Sequence, residues 1–183
     1  MLKRELLDKV NARVRVHCKG AKGYEEGPWV NPLVPVDCVS AFMMARLLTG
    51  HEAFDDYVAV APEGHVYGYF FEQLGHRVLS VHVDYPPRRC EVLDDLSGLC
   101  DSSVLILEDD VISGVTLRLV IDALKRYDPR SLALYLGRRR EDQQLERVGP
   151  EIDRVFLAEE CLDTAHREQY ETEFARFFST AAG

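Results

Sequence analysis

The chain has 183 residues, a formal net charge of -9 and ordinary apolar and charged fractions, which suit one globular domain rather than a disordered or fibrous chain. The negative charge argues against a nucleic-acid binder, because such proteins hold phosphates with a basic surface. No apolar run approaches the roughly 18 residues that span a bilayer, so no membrane association is expected.

The N-terminus and the cysteines both predict a cytoplasmic protein. The segment MLKRELLDKVNAR is charged throughout and lacks the apolar stretch of a signal peptide. The five cysteines are scattered and none forms a CxxC pair. This pattern is typical of free thiols in a reducing compartment and does not indicate a zinc site.

The first regular element is predicted after an irregular start. Residues 1–35 are rich in glycine and proline around GAKGYEEGPWVNPLVP, which favours loops. Asp37 is then predicted to begin a helix and Gly50 to end it. The apolar stripe of this helix comprises Val39, Phe42, Met43 and Leu47.

Five short β-rich runs follow, alternating with helical segments. They are residues 57–61, 77–83, 104–107, 131–137 and 155–159. One helix runs through FFEQLG, and another carries Leu117, Val120, Ile121 and Leu124 on one face. The alternation predicts an α/β fold: a doubly wound, mainly parallel five-stranded sheet with helices on both faces. Ligands bind such sheets beyond the carboxyl ends of the strands, so the loops after residues 61, 83, 108 and 137 are candidate sites.

The stretch VLILEDDVISGVTL is the most informative segment. An apolar strand ends in Glu108 and Asp109, and the turn Ile112-Ser113-Gly114-Val115-Thr116 opens the next helix. Backbone N–H groups at a helix start bind phosphate, and the hydroxyls of Ser113 and Thr116 can donate to it. The two carboxylates can accept hydrogen bonds from a diol. The segment therefore predicts a site for a 5-phosphorylated ribose.

This segment resembles the signature of the type I phosphoribosyltransferases. The resemblance implies that residues 112–116 form the 5-phosphate loop and that Glu108 and Asp109 face the ribose hydroxyls. It implies phosphoribosyl pyrophosphate (PRPP) as ligand and Mg²⁺ as cofactor, the metal contacting the acids through water. About residues 55–160 fit the family's core order.

The resemblance extends less specifically to other segments. Glu63, Gly64 and His65 stand where the family has its pyrophosphate loop, and the loop 84–103 with Arg88 and Arg89 stands where a mobile catalytic loop is expected. The single domain 1–183 would have a core of about 36–160. Its ends, 1–35 and 161–183, would form a small hood that selects the base.

Two residues depart from the family pattern. Ile112 stands where purine-specific members carry an aspartate that handles the base proton, and an aliphatic side chain cannot do so. Asp110 stands where the family usually has an apolar residue. These departures leave two hypotheses open: transfer of the phosphoribosyl group to a nitrogen nucleophile such as a nucleobase, or a non-catalytic PRPP or nucleotide sensor.

Several residues have alternative interpretations. Arg138 is a candidate for contact with a base or with pyrophosphate. Alternatively, Arg138, Arg139 and Arg140 form a run of charged residues exposed to solvent. Tyr24 and Trp29 either stack on a base or pack in the hood. VLILEDD also resembles the start of a response-regulator receiver, but the later strands lack the aspartate and lysine that a receiver needs.

The C-terminal segment predicts a helix with an aromatic stripe, which comprises Tyr170, Phe174, Phe177 and Phe178. Four such side chains would form a large apolar patch on a monomer. We therefore expect a homodimer. The competing expectation is that the helix folds back onto its own domain.

Overall fold

The computed structural model describes residues 36–52, 54–84, 88–139, 145–148 and 150–180, together with residues 5, 8, 9 and 12. Predictions about Tyr24, Trp29, Arg140 and the hood segment 1–35 lie outside these residues.

A six-stranded sheet forms the centre of the fold. Its strands are β1 (Asp56–Ala61), β2 (Val78–Asp84), β3 (Arg89–Val92), β4 (Ser103–Glu108), β5 (Ser131–Leu136) and β6 (Arg154–Leu157). Their spatial order is β3-β2-β1-β4-β5-β6. Neighbouring strands are parallel except β2 and β3, which are antiparallel. The predicted α/β class with a mainly parallel sheet is confirmed, with one strand more than expected.

The additional strand β3 corrects the expectation of a simple loop over 84–103. It pairs with β2 from Val81 and Val92 to Asp84 and Arg89, and a 3₁₀ turn follows at Ser97–Leu99. The sequence RCEV has only four residues and two charges, so its apolar pattern is too weak to indicate a strand. Such a composition suits the edge of a sheet, where charged side chains discourage further pairing.

In the described ranges from residue 36 onward, the helices are α1 (Cys38–His51), α2 (Gly64–Gln73), α3 (Val115–Leu124), α4 (Ala158–Cys161) and α5 (Arg167–Thr180). Asp37 caps α1 as predicted, because its carboxylate accepts the N–H of Ser40 at 3.1 Å. The prediction that Gly50 ends α1 was wrong. The helix continues through His51, and its last capping residue, Glu52, keeps a right-handed conformation, so no glycine is needed there.

Apolar residues from the two faces of the sheet form two separate cores. On one face, α1, α2 and α5 pack over strand residues such as Tyr57, Leu105 and Tyr135. On the other face, α3 packs over residues such as Val58, Ile106 and Leu134. The predicted face of α3 is confirmed, since Leu117, Val120, Ile121 and Leu124 are all buried. In α1 the buried set is rotated from the predicted stripe and comprises Ala41, Phe42, Met44, Ala45 and Leu48.

The aromatic stripe of α5 packs within the chain. The Phe178 ring is 5.4 Å from that of Phe42 and 6.2 Å from that of Phe70, measured between ring centroids. Phe174 and Phe177 also contact Phe42. Three of the four aromatic residues that motivated the homodimer, Phe174, Phe177 and Phe178, therefore pack at least partly within the chain. The homodimer stays a prediction with less support.

The strand order positions one point of the sheet for ligand binding. From β1 the chain moves outward to β2 and β3, then crosses to the other side of β1 to form β4. The carboxyl ends of β1 and β4, at Ala61 and Glu108, therefore lie side by side where the winding direction reverses. Loops diverge at such a point and leave a crevice. Among the described residues, no helix is long and apolar enough to cross a bilayer.

Candidate functional site

A cleft of about 460 Å³ lies at this edge of the sheet. β1 and its turn contribute Val60, Ala61, Pro62 and Glu63, and β2 contributes His82 and Val83. The segment after β4 contributes Glu108, Asp109, Asp110, Val111, Ile112, Ser113, Gly114, Thr116 and Leu117, and Arg138 follows β5. The cleft thus joins four strand ends with the start of α3.

The predicted phosphate loop forms one side of the cleft. Gly114 is the capping residue of α3 and has φ +74°, a left-handed conformation that glycine adopts without strain. Ser113 is exposed, and its Oγ lies 3.5 Å from the N–H of Val115. The backbone N–H groups at the start of α3 and the positive end of the helix dipole favour an anion at this position.

Glu108 and Asp109 lie at the inner end of the cleft. Glu108 is 7% exposed, and one of its oxygens accepts the N–H of Asp109 at 2.9 Å. Burial and the neighbouring Asp109 carboxylate raise the pKa of Glu108 well above its usual 4.5. Burial also raises the pKa of Asp109, although the N–H of Asp110 and the guanidinium of Arg138 act against it. The two acids therefore hold a proton more tightly than exposed carboxylates do.

Glu63 adds a third carboxyl group from the turn after β1. Burial raises its pKa, and its own backbone N–H donates to it and acts the other way. The charges of Asp109 and Asp110 raise the pKa of Glu63 further. Glu63 therefore holds a proton more tightly than an exposed glutamate does.

Asp110, which departs from the family pattern, forms an ion pair with Arg138. Nη2 of Arg138 lies 2.6 Å from Oδ2 of Asp110 and 3.1 Å from Oδ2 of Asp109. The Asp110 side chain is 10% exposed and that of Arg138 37%. An acidic residue is thus accommodated at this strand end because an arginine from the next strand neutralises it.

These acids do not form a direct magnesium site. Among the described residues, no group of three His, Cys, Asp or Glu side chains could hold a metal ion. Oδ1 of Asp109 accepts the N–H of Asp110 at 2.7 Å, and both aspartates accept from Arg138. Mg²⁺ prefers unengaged oxygen ligands in octahedral geometry. The contact of Mg²⁺ with Glu108 and Asp109 through water stays a prediction.

Five of the predicted site residues do not line the cleft, and Gly64, His65 and Val115 are three of them. His65 is completely buried, and its N–H donates to the Pro62 carbonyl at 3.2 Å. A Cβ atom at Gly64 would lie 2.3 Å from the carbonyl oxygen of Leu107, so glycine is required there for α2 to approach β4. Val115 is 39% exposed in the first turn of α3.

The predicted arginines fall into two groups. Arg138 lines the cleft, whereas Arg88 and Arg89 are not among its lining residues. Arg89 begins the edge strand β3 and Arg88 directly precedes it. Both residues are exposed, and Arg89 pairs with Glu91. Arg139 is also exposed and pairs with Glu160 at 3.0 Å. Only Arg138 of this set is therefore positioned to contact a ligand in the cleft.

His82, Val83 and the pairing of Asp110 with Arg138 were not predicted from the sequence. His82 and Val83 lie at the end of β2, whose carboxyl end was identified as a candidate loop. A search that included the last residues of each strand would have found both.

Comparison with solved structures agrees with this architecture. The chain is similar in structure to a purine phosphoribosyltransferase from Pyrococcus horikoshii Ot3, with 20% sequence identity and a TM-score of 0.50. The match covers 64% of this chain and 78% of that one. The chain has a phosphoribosyltransferase-type fold. No family model matches the sequence, and no curated protein matches it.

Proposed function

We propose that this protein binds PRPP in the cleft and transfers its 5-phosphoribosyl group to a nitrogen nucleophile, such as a nucleobase. The observation that carries the proposal is the position of the loop Ser113–Gly114 and the acids Glu108 and Asp109 in one cleft. This arrangement offers an anion site and a hydroxyl-binding site, which are the two ends of a ribose 5-phosphate.

The chemistry would follow from the charge at the inner end of the cleft. When the bond from C1 of the ribose to pyrophosphate breaks, C1 becomes positively charged, and the carboxylates of Glu108 and Asp109 would stabilise that charge. The nitrogen of the acceptor then forms the new bond to C1, and its proton would pass to the departing pyrophosphate or to solvent. Mg²⁺, when bound with the pyrophosphate, would neutralise part of its charge. Arg138 is the lining residue that could contact an acceptor carbonyl.

A second candidate is a sensor that binds a 5-phosphorylated ribose ligand without turnover. Two observations favour it. Ile112 is 49% exposed and lines the cleft without any proton-transferring group. Glu63 places a carboxyl group in the turn where the resemblance implies a pyrophosphate contact, and like charges there would weaken pyrophosphate binding.

Calorimetry and a pyrophosphate-release assay test both candidates. Titration with ribose 5-phosphate and with PRPP in the presence of Mg²⁺ measures binding, and incubation of PRPP with a panel of nucleobases measures turnover. Binding with release of pyrophosphate supports the transferase. Binding of either ligand without release for any base supports the sensor. Binding of neither ligand would contradict both.

A further inference from the structure

We propose that Arg138 is the resident counter-cation of the cleft, which lets the acids Asp109 and Asp110 face a ribose 5-phosphate ligand without a protein-bound divalent metal. The proposal rests on the proposed function, since it assumes that such a ligand binds between the phosphate loop and the acids. It adds that binding of the ligand does not depend on a metal ion, which the type of fold does not by itself imply.

The backbone and the side chain of Arg138 are both held against the end of β4. Its N–H donates to the carbonyl of Asp109 at 2.9 Å, and the preceding N–H of Gly137 donates to the carbonyl of Glu108 at 3.0 Å. Nη2 then bridges Asp109 and Asp110 at 3.1 and 2.6 Å. The guanidinium is therefore held by two side-chain contacts, and two backbone hydrogen bonds hold the segment that carries it against the end of β4.

The charges of the cleft require such a cation. Its lining residues include four carboxyl groups, those of Glu63, Glu108, Asp109 and Asp110, and one guanidinium, that of Arg138. An arginine stays protonated at any physiological pH, so its charge does not depend on the state of the acids. A divalent metal would have to displace this fixed cation before it could reach the aspartate oxygens.

The Arg138 side chain also has one hydrogen-bond donor that is not used within the protein. Its Nε is buried and has no hydrogen-bond partner, although the residue lines the cleft. A buried charged donor without a partner costs free energy, and a ligand hydroxyl or a water molecule would satisfy it. Arg138 would thus both balance the acids and donate to the ligand, two roles that a metal ion fills in a metal-dependent site.

Calorimetric titration with ribose 5-phosphate, once in EDTA and once in excess Mg²⁺, tests the proposal. For the wild type we expect dissociation constants that agree within about twofold. Arg138→Ala should weaken binding about tenfold or more in EDTA and recover most of it in Mg²⁺. Arg138→Lys keeps the charge and should show no such rescue. Arg139→Ala, whose exposed partner is Glu160, is the matched control and should behave as wild type.

A direct titration with Mg²⁺ in the absence of the sugar separates this inference from the proposed function. The Arg138→Ala variant should bind the metal and the wild type should not. A wild type that needs Mg²⁺ for ribose 5-phosphate, or an Arg138→Ala variant that binds equally well in EDTA, would overturn the inference. If the wild type binds ribose 5-phosphate in neither buffer, the proposed function fails, and the Mg²⁺ titration still decides the role of Arg138. Arg138→Gln replaces Arg138→Ala if the latter does not fold.

Discussion

Asp110 and Arg138 form an ion pair of 2.6 Å across the parallel strands β4 and β5, beside the cleft. The pair explains how an acidic residue stands at the end of a buried strand. It also links the segment that carries the phosphate loop to the segment after β5, so that the acids and their cation belong to one rigid part of the sheet edge.

Glu108→Gln should stabilise the fold at neutral and alkaline pH. Since burial raises the pKa of Glu108 above its usual 4.5, the folded state binds this proton more tightly than the unfolded state. The wild type therefore loses stability as the pH rises from about 4.5 through the raised value. Glutamine cannot ionise, yet its carbonyl can still accept the N–H of Asp109.

Urea unfolding at about pH 5 and about pH 8 checks this effect. The midpoint of Glu108→Gln should exceed that of the wild type at the higher pH, with a smaller difference at the lower pH. Glu168→Gln, an exposed change on α5, serves as control. Equal midpoints for Glu108→Gln and wild type at both pH values would contradict the raised pKa.

Ser113→Glu should abolish binding of a 5-phosphorylated ligand without loss of stability. Ser113 is exposed, so the new carboxylate costs little in the free protein but occupies the anion site at the start of α3. We expect the affinity for ribose 5-phosphate to fall by about tenfold or more. Ser97→Glu, at an exposed position outside the cleft, should leave it unchanged. Equal affinities of Ser113→Glu and Ser97→Glu for ribose 5-phosphate would exclude this loop from the binding site.

Gly114→Ala tests the loop through its backbone. The added Cβ would meet Val148 and Arg147 at ordinary contact distances of 3.5 and 3.6 Å, so space is not the obstacle. The φ of +74° is the obstacle, and it should cost about 1–2 kcal/mol of stability or shift the loop. Thermal unfolding measures the first effect and ribose 5-phosphate titration the second. A variant with unchanged stability and affinity would show that the left-handed turn is not required.

Phe178→Ala should destabilise the chain by about 3 kcal/mol, because it removes a buried aromatic ring from the contact between α5 and α1. Urea denaturation measures this loss. Light scattering at two concentrations should give the same oligomeric state for variant and wild type, since the ring packs within one chain. A change of oligomeric state with unchanged stability would instead indicate that α5 forms an interface between subunits.

Arg167→Ala should make the fold less sensitive to acid. Burial alone would raise the pKa of Asp37, but hydrogen bonds from Arg167 and Ser40 lower it from 3.8 to about 2. The stabilisation by this pair is therefore complete above about pH 4 and is lost as the pH falls towards 2.

The side chains of Arg167 and Asp37 are about half exposed. Arg167→Ala should therefore lower the free energy of unfolding by less than about 1 kcal/mol at pH 6. Urea midpoints at pH 6 and pH 3 measure it, and the difference between variant and wild type should shrink at the lower pH. A difference that grows on acidification would contradict the lowered pKa of Asp37.

The sequence was sufficient to predict five of the six strands and the position of Glu108, Asp109 and the Ser113–Gly114 loop at the edge of the sheet. Parallel strands are buried on both faces, so their sequences are continuous apolar runs that are easy to recognise. Glu108 ends one such run, and the loop with Gly114 comes soon after it. The partners of these residues could not be predicted. Arg138 is 29 residues beyond Asp109, and only the register of β4 with β5 brings them together.

Other errors have equally local causes. β3 was missed because Arg89 and Glu91 interrupt its apolar pattern, and at an edge only one side of the strand is paired. His65 was assigned to ligand binding from its position after β1, but the first turn of α2 already uses its N–H. The covering of α5 by α1 and α2 depends on tertiary packing that helical periodicity in one segment does not reveal.

The central claim is that the cleft binds a ribose 5-phosphate with its phosphate at Ser113–Thr116 and its hydroxyls towards Glu108 and Asp109. A crystal structure of the protein grown with saturating ribose 5-phosphate tests this most directly. We predict electron density for the phosphate within hydrogen-bond distance of the first amides of α3, and for the sugar beside Glu108 and Asp109. Sugar phosphate bound elsewhere, or an empty cleft at saturating ligand, would contradict it.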